Sequence, residues 1–268
     1  MSQLARLPGI LLCLACSAAA LPSQAYPQVV TDQQITTIET PSEVETTSIA
    51  SPSHGLFAQV LSDFRHLPSW ETLTILSVAG AGAAASHRFD GRVTSTLSAS
   101  RSFGSVAGPG ETIGAASVQF GAALATYTLG KATHKPKIVS LGGDLVRAQI
   151  VTQTLTQGIK IAAGRTRPDG TRYSFPSGHA STAFATATVL QRHLGWKAGI
   201  PAYSLATYVA ASRVESRRHY LSDVAFGAAL GVVAGRTVTI GRGEARFAVS
   251  PAVALGGGGV TFTWVGRR

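Results

Sequence analysis

Hydrophobic positions recur at helical spacing along most of the chain. Apolar residues after Leu56 are separated by three and four positions, which is typical of an amphipathic helix: Phe57, Val60, Leu61 and Phe64. Pro68-Ser69 offers the start of a second helix, which is predicted to run to Ser86. The fold class is therefore predicted to be mostly α, a closely packed helical bundle, with further helices at about 91–103, 112–131, 141–163, 178–194, 198–213 and 219–235.

The pattern changes beyond the last of these helices. Apolar residues alternate with small or polar ones from Phe247 to Leu255, four glycines follow, and the alternation resumes from Val260 to Trp264. Two alternating runs that are separated by glycine indicate a β-hairpin. Residues 237–268 are therefore predicted to form a small C-terminal β-hairpin extension that packs on the bundle.

The first 54 residues differ from the bundle in composition. The segment after Arg6 is apolar and ends in small residues, so residues 1–25 are predicted to be a secretory signal peptide. The alternatives are lipoprotein cleavage before Cys16 and an uncleaved anchor, for which the apolar run is short. Residues 26–54 are rich in Thr, Ser, Pro and Gln and are predicted to be an extended linker or arm. Export to the periplasm follows, and residues 55–236 remain as the helical domain.

Charge and the length of apolar runs narrow the classes of function. The chain has 268 residues and a formal net charge of +10, but only 13% of its residues are charged and 7% are aromatic, which argues against a nucleic-acid partner. A spanning helix needs roughly 20 apolar residues. Among the predicted helices of the bundle, only Thr112–Gly130 is uncharged over a comparable length, and it contains Gln119 and Tyr127. A soluble bundle, or one in peripheral contact with a membrane, is therefore favoured over a polytopic membrane protein.

The loop after one predicted helix carries cations that suit phosphate chemistry. Lys160 lies near the end of this helix, Gly164 is its predicted stop, and Arg165 and Arg167 follow in the loop. Arginine grips phosphate oxygens with two N–H groups at once, whereas lysine acts as a point charge. Lys160, Arg167 and, further along the chain, Arg213 are therefore predicted to bind a phosphoryl group.

A predicted helix start supplies further ligands for an anion. Pro176-Ser177-Gly178-His179 directly precedes an apolar stretch, so Ser177 is predicted to cap a new helix. The free amides of Ser177, Gly178 and His179 can then point at an anion, and Gly178 lets the backbone come close. His179, in the first turn, is positioned to pass a proton to a departing oxygen.

His219 and Asp223 are predicted to form the attacking pair. They are four residues apart, so on a helix they share one face. The carboxylate would hold the proton of one ring nitrogen, which leaves the lone pair of the other aimed at phosphorus. A metal site is the alternative for two histidines and an aspartate, but Lys160, Arg167 and Arg213 repel a dication and attract an anion. The residues therefore favour an anion site without a metal.

Together these residues form a three-part signature: Lys160 followed after six residues by Arg167-Pro168, then Pro176-Ser177-Gly178-His179, then Ser212-Arg213 followed by His219 and Asp223. The arrangement resembles the signature of the type 2 phosphatidic acid phosphatase superfamily. In its site it is similar to bacterial class A acid phosphatases, lipid phosphate phosphatases and vanadium-dependent haloperoxidases. Only seven residues separate Pro168 from Pro176, which argues against a large substrate-binding insertion at that point.

The resemblance covers roughly residues 55–240 and implies a helical bundle of this superfamily's kind. It implies that His219 forms a phosphohistidine, that Asp223 orients His219, and that His179 protonates the leaving group and later activates water. It also implies that five residues bind the phosphoryl oxygens: Lys160, Arg167, Ser177, Gly178 and Arg213. No metal or other cofactor is implied for hydrolysis.

Three functions are compatible with this signature. The leading hypothesis is an exported, metal-independent phosphatase that acts on a phosphorylated small molecule or on a lipid or isoprenoid phosphate. The alternative is a vanadate-dependent haloperoxidase, because the same anion cage would hold vanadate. The third is a non-catalytic anion-binding protein, against which His179, His219 and Asp223 argue together. The signature selects neither the substrate nor the oligomeric state.

Overall fold

The computed structural model describes residues 55–240 and two later strands, and over these residues the predicted, mostly helical fold is confirmed. The predicted signal peptide and linker, residues 1–54, lie outside the described residues. A short 3₁₀-helix, His87–Phe89, joins the second and third α-helices. The α-helices of the described part are α1 Leu56–His66, α2 Trp70–Ser86, α3 Asp90–Ser98, α4 Arg101–Ala107, α5 Pro109–Gly114, α6 Ala116–Ala132, α7 Pro136–Ala163, α8 Gly178–Leu194, α9 Trp196–Glu215 and α10 Leu221–Val238.

Two strands follow α10 in the C-terminal segment. β1, Arg246–Ala254, pairs antiparallel with β2, Gly257–Val265, in a register that places Arg246 opposite Val265. The packing of a C-terminal hairpin on the bundle stays a prediction. The predicted boundary before residue 237 is corrected by α10, which continues to Val238.

Side-chain caps divide the chain into more helices than the apolar pattern indicates. Ser177 caps α8 as predicted, because its hydroxyl accepts a hydrogen bond from the amide of Ala180 (3.4 Å). Ser100 does the same for the amide of Phe103 (3.4 Å), so the helix predicted at 91–103 is two helices, α3 and α4. A serine hydroxyl competes with the helical hydrogen bonds of the backbone, which favours a break at such a position.

The helix predicted at 112–131 is also divided, at Ala115, whose backbone is extended. The break places the end of α5 against α8 and α9, where space is limited. A Cβ atom on Gly114 would lie 2.4 Å from a methyl carbon of Val209 and 3.0 Å from the Cβ atom of His179. Glycine is therefore required where α5 approaches the residues of the signature.

Small residues allow α10 to press against α8. A Cβ atom on Gly231 would lie 2.2 Å from the carbonyl oxygen of Ser181, and one on Gly227 would lie 2.6 Å from that of Ser177. The largest buried cluster lies among α6, α7, α8 and α10: Ala123, Leu145, Val146, Ala148, Val151, Ala185, Val189, Ala234 and Val238. This close packing brings the N-terminus of α8 and the start of α10 together.

Apolar side chains are also exposed on several helices. On α2, Ala83 is buried, whereas Trp70 is 84% exposed and Val78 is 68% exposed. Within the described part of the chain, α10 alone is long and apolar enough to cross a membrane, and 61% of that stretch is buried inside the protein. The core helix of a soluble protein, when it is mostly buried, has the same length and composition.

Candidate active site

The three clusters of the signature meet at one cleft of about 360 Å³. The C-terminal end of α7, the first turn of α8 and the segment between α9 and α10 border it. Ser177 and Asp223 are fully buried, next to residues of its wall. The other six residues predicted for the site line the cleft: Lys160, Arg167, Gly178, His179, Arg213 and His219.

Lys160 lies at the end of α7 and holds the loop that follows. Gly164 ends the helix in the left-handed conformation (φ 55°), as predicted. The Nζ atom of Lys160 donates to the carbonyl oxygens of Tyr173 (2.9 Å) and Pro176 (2.7 Å). An ammonium group has three donors, so one remains for an anion in the cleft. Burial, reinforced by the nearby cation of Arg167, lowers the pKa of Lys160 to about 8.

The N-terminus of α8 differs from the prediction in one respect. The amide of Ser177 is not free for an anion, because it donates to the carbonyl oxygen of Asp223 (3.0 Å). The amides of Gly178 and His179 belong to the first two residues of α8, where the helix itself provides no acceptor. The positive end of this helix therefore faces the cleft with two backbone donors.

His179 is half-buried in the wall of the cleft, and its Nε2 atom is buried without a hydrogen-bond partner within the protein. Burial, together with the charges of Arg213 and His219, lowers the pKa of His179 to about 4. A negative charge in the cleft would act in the opposite direction, because it stabilises the imidazolium form. The imidazole is therefore arranged to gain a proton together with an anion.

His219 and Asp223 are adjacent, but not for the predicted reason. The helix predicted from residue 219 begins at Leu221, so His219 precedes α10 and the two residues do not share a helical face. The amide of His219 instead donates to the carbonyl oxygen of Arg213 (3.0 Å), which turns the chain back toward α9. The Nδ1 atom of His219 lies 3.6 Å from the Oδ2 atom of Asp223, longer than a hydrogen bond.

The two members of this pair are held in complementary charge states. Burial lowers the pKa of His219, and the cations of Lys160 and Arg167 add to the effect, while Asp223 opposes it. Burial alone would raise the pKa of Asp223, but its contacts with His219, Ser174 and the amide of Tyr220 outweigh burial and hold it below the ordinary value. A neutral imidazole therefore faces an ionised carboxylate at neutral pH, which is the state required of a nucleophile and its orienting group.

Arg213 has an acidic neighbour in the cleft. Its guanidinium group is almost fully buried, and Nη1 lies 3.6 Å from the Oε1 atom of Glu111 on α5. Glu111 is largely exposed and lines the same cleft as His179. Because the Glu111 carboxylate reaches solvent, it can move away from Arg213 when an anion enters the cleft and takes its place.

Unsatisfied nitrogen atoms also indicate an anion. The Nε atoms of Arg167 and Arg213 and the Nε2 atom of His179 are buried without a protein partner. Buried polar atoms are normally hydrogen-bonded, so unpaired nitrogen atoms around one cleft suit a ligand that accepts hydrogen bonds. Within the described residues, no three His, Cys, Asp or Glu side chains are grouped to hold a metal ion.

Sequence reasoning missed several residues that support this site. Glu111 faces Arg213, Ser174 donates to Asp223, and Arg165 lies between Asp90 and Asp223. The partners in three of these contacts are separated by 49 to 75 positions. No local spacing rule relates residues so far apart, although Arg165 lies inside the first signature cluster.

These features define a cleft that is lined by buried cations and two histidines and that lies at the N-terminus of α8. Residues 165–246 of the chain match the family model of the PAP2 superfamily, so the predicted resemblance to this superfamily is confirmed over that segment. The segment contains Arg167 and the second and third signature clusters, and it begins after Lys160.

Two of the curated relatives are lipid A phosphatases. A stretch of 82 residues is 48% identical to the lipid A 1-phosphatase of Porphyromonas gingivalis and covers 28% of this chain and 18% of that protein. A stretch of 97 residues is 33% identical to the lipid A 4'-phosphatase of Helicobacter pylori and covers 32% of this chain and 49% of that protein. The chain therefore spans less than half the length of these curated relatives.

Two solved structures resemble the chain at low sequence identity. One is a transmembrane PAP2 type phosphatidylglycerolphosphate phosphatase from Bacillus subtilis, with 21% identity and a TM-score of 0.45, covering 68% of this chain and 92% of that one. The other is LpxE of Aquifex aeolicus, with 19% identity and a TM-score of 0.46, covering 56% of this chain and 94% of that one. Both scores lie below 0.5, so no feature of the site is carried over from them.

Proposed function

We propose that the chain is a metal-independent phosphoric ester hydrolase that acts on lipid phosphates through a phosphohistidine intermediate. The observation that carries the proposal is the convergence of two histidines with low pKa values, His179 and His219, on one cleft lined by buried cations. Structural clusters of this kind are uncommon outside functional sites, because each buried cation costs desolvation energy.

The geometry supports a two-step reaction. The Nδ1 atom of His219 faces Asp223, so its Nε2 atom is the one available to attack phosphorus. A P–N bond forms, the ester P–O bond breaks, and His179 transfers its proton to the departing oxygen. Water then attacks phosphorus, so that a new P–O bond forms and the P–N bond to His219 breaks, while His179 takes up a proton of that water. Inorganic phosphate leaves, and both histidines return to their initial states.

The cage supplies the electrostatic part of catalysis. Lys160, Arg167 and Arg213 together with the first amides of α8 are placed to stabilise the charge on the equatorial oxygens. Such preorganised donors act most strongly in a site shielded from water, and removing one donor typically costs about 10²- to 10³-fold in kcat. Ser177 supports these donors indirectly, because its hydroxyl caps α8 and its amide donates to the carbonyl oxygen of Asp223.

Lipid phosphates are favoured over small soluble esters for two reasons. Stretches of 82 and 97 residues of the chain are similar to two proteins that are named as lipid A phosphatases. Apolar side chains are exposed beside the signature residues: Ile161, next to Lys160, is 73% exposed, and Tyr173, whose carbonyl Lys160 binds, is 42% exposed. A substrate with acyl chains, presented at a membrane surface on the exported side, would meet such side chains.

The experiment is a phosphate-release panel on the purified protein with a chelator present. Its substrates are a lipid A phosphate, phosphatidate, an isoprenoid diphosphate and the chromogenic monoester p-nitrophenyl phosphate. We expect phosphate from a lipid substrate, and loss of turnover in His219→Ala but not in His66→Ala, which alters an exposed histidine of α1. Absence of phosphate release from every ester would overturn the proposal. Halide oxidation with vanadate and peroxide in its place would establish the haloperoxidase alternative.

A further inference from the structure

The carboxylate of Asp223 is held on the side away from His219 by a residue outside the cleft. The Nη1 atom of Arg165 donates to its Oδ1 atom at 2.6 Å. Its Oδ2 atom accepts hydrogen bonds from the Ser174 hydroxyl and from the amide of Tyr220 (2.8 Å). Oδ2 is also the oxygen nearest to His219. Arg165 therefore holds the oxygen of the carboxylate that is opposite to the one facing His219.

Arg165 is itself fixed from the opposite side by Asp90. The Nη2 atom of Arg165 donates to the Oδ2 atom of Asp90 at 2.8 Å, and its guanidinium carbon lies 4.3 Å from the centre of the Tyr220 ring. Asp90 is the first residue of α3 and is buried, and it accepts hydrogen bonds from the amide (2.9 Å) and hydroxyl (2.6 Å) of Ser222. The guanidinium group is therefore held between two buried carboxylates.

We propose that Arg165 and Asp90, the Arg165–Asp90 pair, are positioning residues that hold Asp223 in the orientation that His219 requires. Arg165 does not belong to the residues that line the cleft, so it acts through Asp223 and not on the substrate. The inference rests on the proposed function for its kinetic consequences. It also assigns a role to α3, which supplies Asp90 although it contributes no residue to the cleft.

The charges around Asp223 explain why a cation is needed at this place. Asp90 and Asp223 are both buried carboxylates, and Arg165 is the cation that contacts both. Removing one partner of a buried ion pair is costly, because the remaining charge stays desolvated. Among the described residues, three titratable or charged groups face the Asp223 carboxylate: Lys160 of α7, Arg165 of the loop and His219 before α10. Asp90 and His87 lie on the far side of Arg165.

The kinetic test uses Arg165→Met. Because Asp223 would hold His219 less firmly, we expect kcat to fall about 100-fold with KM nearly unchanged, as expected for a displacement of roughly 1 Å in a reacting group. The loss of the cation would also raise the pKa of Asp223, so the acid limb of the kcat profile moves to higher pH. Arg165→Lys keeps the positive charge but lacks the two nitrogen atoms that contact Asp90 and Asp223 at once, so it should recover part of the rate. A matched control is Arg92→Met, which removes an exposed arginine from α3.

A double variant and a second readout keep the test informative. In Arg165→Met/Asp90→Asn both charges of the pair are removed, so kcat should recover relative to Arg165→Met. If Arg165→Met does not fold, Arg165→Lys and Asp90→Asn make the same comparison. A kcat within about twofold of the native value in Arg165→Met, with an unshifted acid limb, would overturn the proposal.

Nitrogen chemical shifts of the His219 ring test the pair without any turnover. We expect the native protein to hold the tautomer with a proton on Nδ1, facing Asp223, and Arg165→Met to show a mixture of tautomers. The same single tautomer in both proteins would overturn the positioning role. If the native protein hydrolyses no ester, the proposed function fails, while the ring tautomer still decides whether the Arg165–Asp90 pair positions His219.

Discussion

At the scale of single residues, the site contains two histidines with different surroundings. His219 has a carboxylate 3.6 Å from Nδ1, whereas His179 faces the cleft with an unpaired Nε2 atom. In the proposed reaction this difference suits His219 to the role of nucleophile, which needs an orienting acceptor, and His179 to that of proton donor, which needs access to the leaving oxygen. Replacing His219 and replacing His179 are therefore expected to block different steps of the reaction.

Replacement of His179 is predicted to trap the intermediate. In His179→Ala, p-nitrophenyl phosphate should still react, because p-nitrophenolate leaves without a proton, but water has no base to activate it. We expect a burst of about one p-nitrophenol per site, followed by turnover about 10²- to 10⁴-fold slower than native. Stopped-flow absorbance measures both phases. A His179→Ala protein whose steady rate equals that of the native protein would contradict this role.

The low pKa of His179 also predicts how stability depends on pH. The folded state binds this proton only near pH 4, whereas an unfolded histidine binds it near its ordinary value of 6.5. The unfolded state therefore takes up protons first, and folding stability falls as the pH drops from 6.5 towards 4. His219, whose pKa is lowered too, acts in the same direction.

Thermal unfolding of the native protein and of His179→Gln at pH 7.5 and pH 4.5 measures this contribution. Other groups titrate in the same range, so the difference between the two proteins is the relevant quantity. We expect the melting temperature of His179→Gln to fall by a few degrees less than that of the native protein. An equal fall in both would show that His179 is not buried in its neutral form.

The residues of the cage could be predicted because their chemistry and spacing are local. Ser177 precedes an apolar helix, and Lys160 precedes a glycine stop, so both positions follow from neighbouring residues. Ser174, Glu111 and Asp90 could not be predicted in this way, because each finds its partner only after the helices pack. Their role depends on tertiary structure and not on a pattern along the chain.

At the scale of helices, the approach of α10 to α8 holds the signature clusters together. Gly231 is the tightest point, since a Cβ atom there would lie 2.2 Å from the carbonyl oxygen of Ser181 and 2.7 Å from the amide of Ala185. Ser181 lies one turn after Gly178, and its amide donates to the carbonyl of Ser177. Separation of these helices would therefore displace the first turn of α8.

Gly231→Ala is predicted to reduce both stability and activity. Overpacking against backbone atoms costs about 1–3 kcal/mol, which lowers the melting temperature by roughly 2–12 °C in a domain of this size. The matched control is Gly158→Ala on α7, where an added Cβ meets nothing within 4 Å. Because alanine has a higher helix propensity than glycine, Gly158→Ala should be more stable than the native protein by about 0.5–1 kcal/mol. Equal melting temperatures for the two variants would contradict the close approach of α10 to α8.

Helix boundaries were predictable where a local cap sets them and not where a backbone contact outside the helix sets its first turn. α8 begins and ends at the predicted residues, because Ser177 caps it and Gly195 follows it. In contrast, α10 begins two residues later than predicted, since the amide of His219 is used by Arg213. The later start matters for the site, because His219 then lies outside the helix, in the segment between α9 and α10 that borders the cleft.

At the scale of the whole molecule, several helices expose large apolar side chains to solvent. On α2 these are Trp70, Leu73 and Val78, which are more than half exposed. Side chains of this size gain about 1.5–3 kcal/mol each when they are fully removed from water. A membrane surface is the partner that would cover them for a lipid substrate.

The protein is predicted to sediment with anionic lipid vesicles. Its formal net charge of +10 favours attraction to such a surface. Replacing Trp70, Leu73 and Val78 with serine should reduce the bound fraction by at least about tenfold, since each substitution removes an apolar side chain from the interface. The same replacement at Trp196, Ile200 and Leu205 on α9 tests whether another exposed face is used. Vesicle binding that is unchanged in the α2 variant would contradict the prediction that these α2 side chains contact the membrane.

In the proposed reaction His219 becomes phosphorylated during turnover. Rapid acid quench of the protein with a ³²P-labelled substrate of the panel, followed by electrophoresis under alkaline conditions, tests it most directly. The native protein and His66→Ala should carry a label that is stable in base and lost in acid, as a phosphoramidate is, and His219→Ala should carry none. Label that persists in His219→Ala, or that survives acid as a phosphoserine would, contradicts the account.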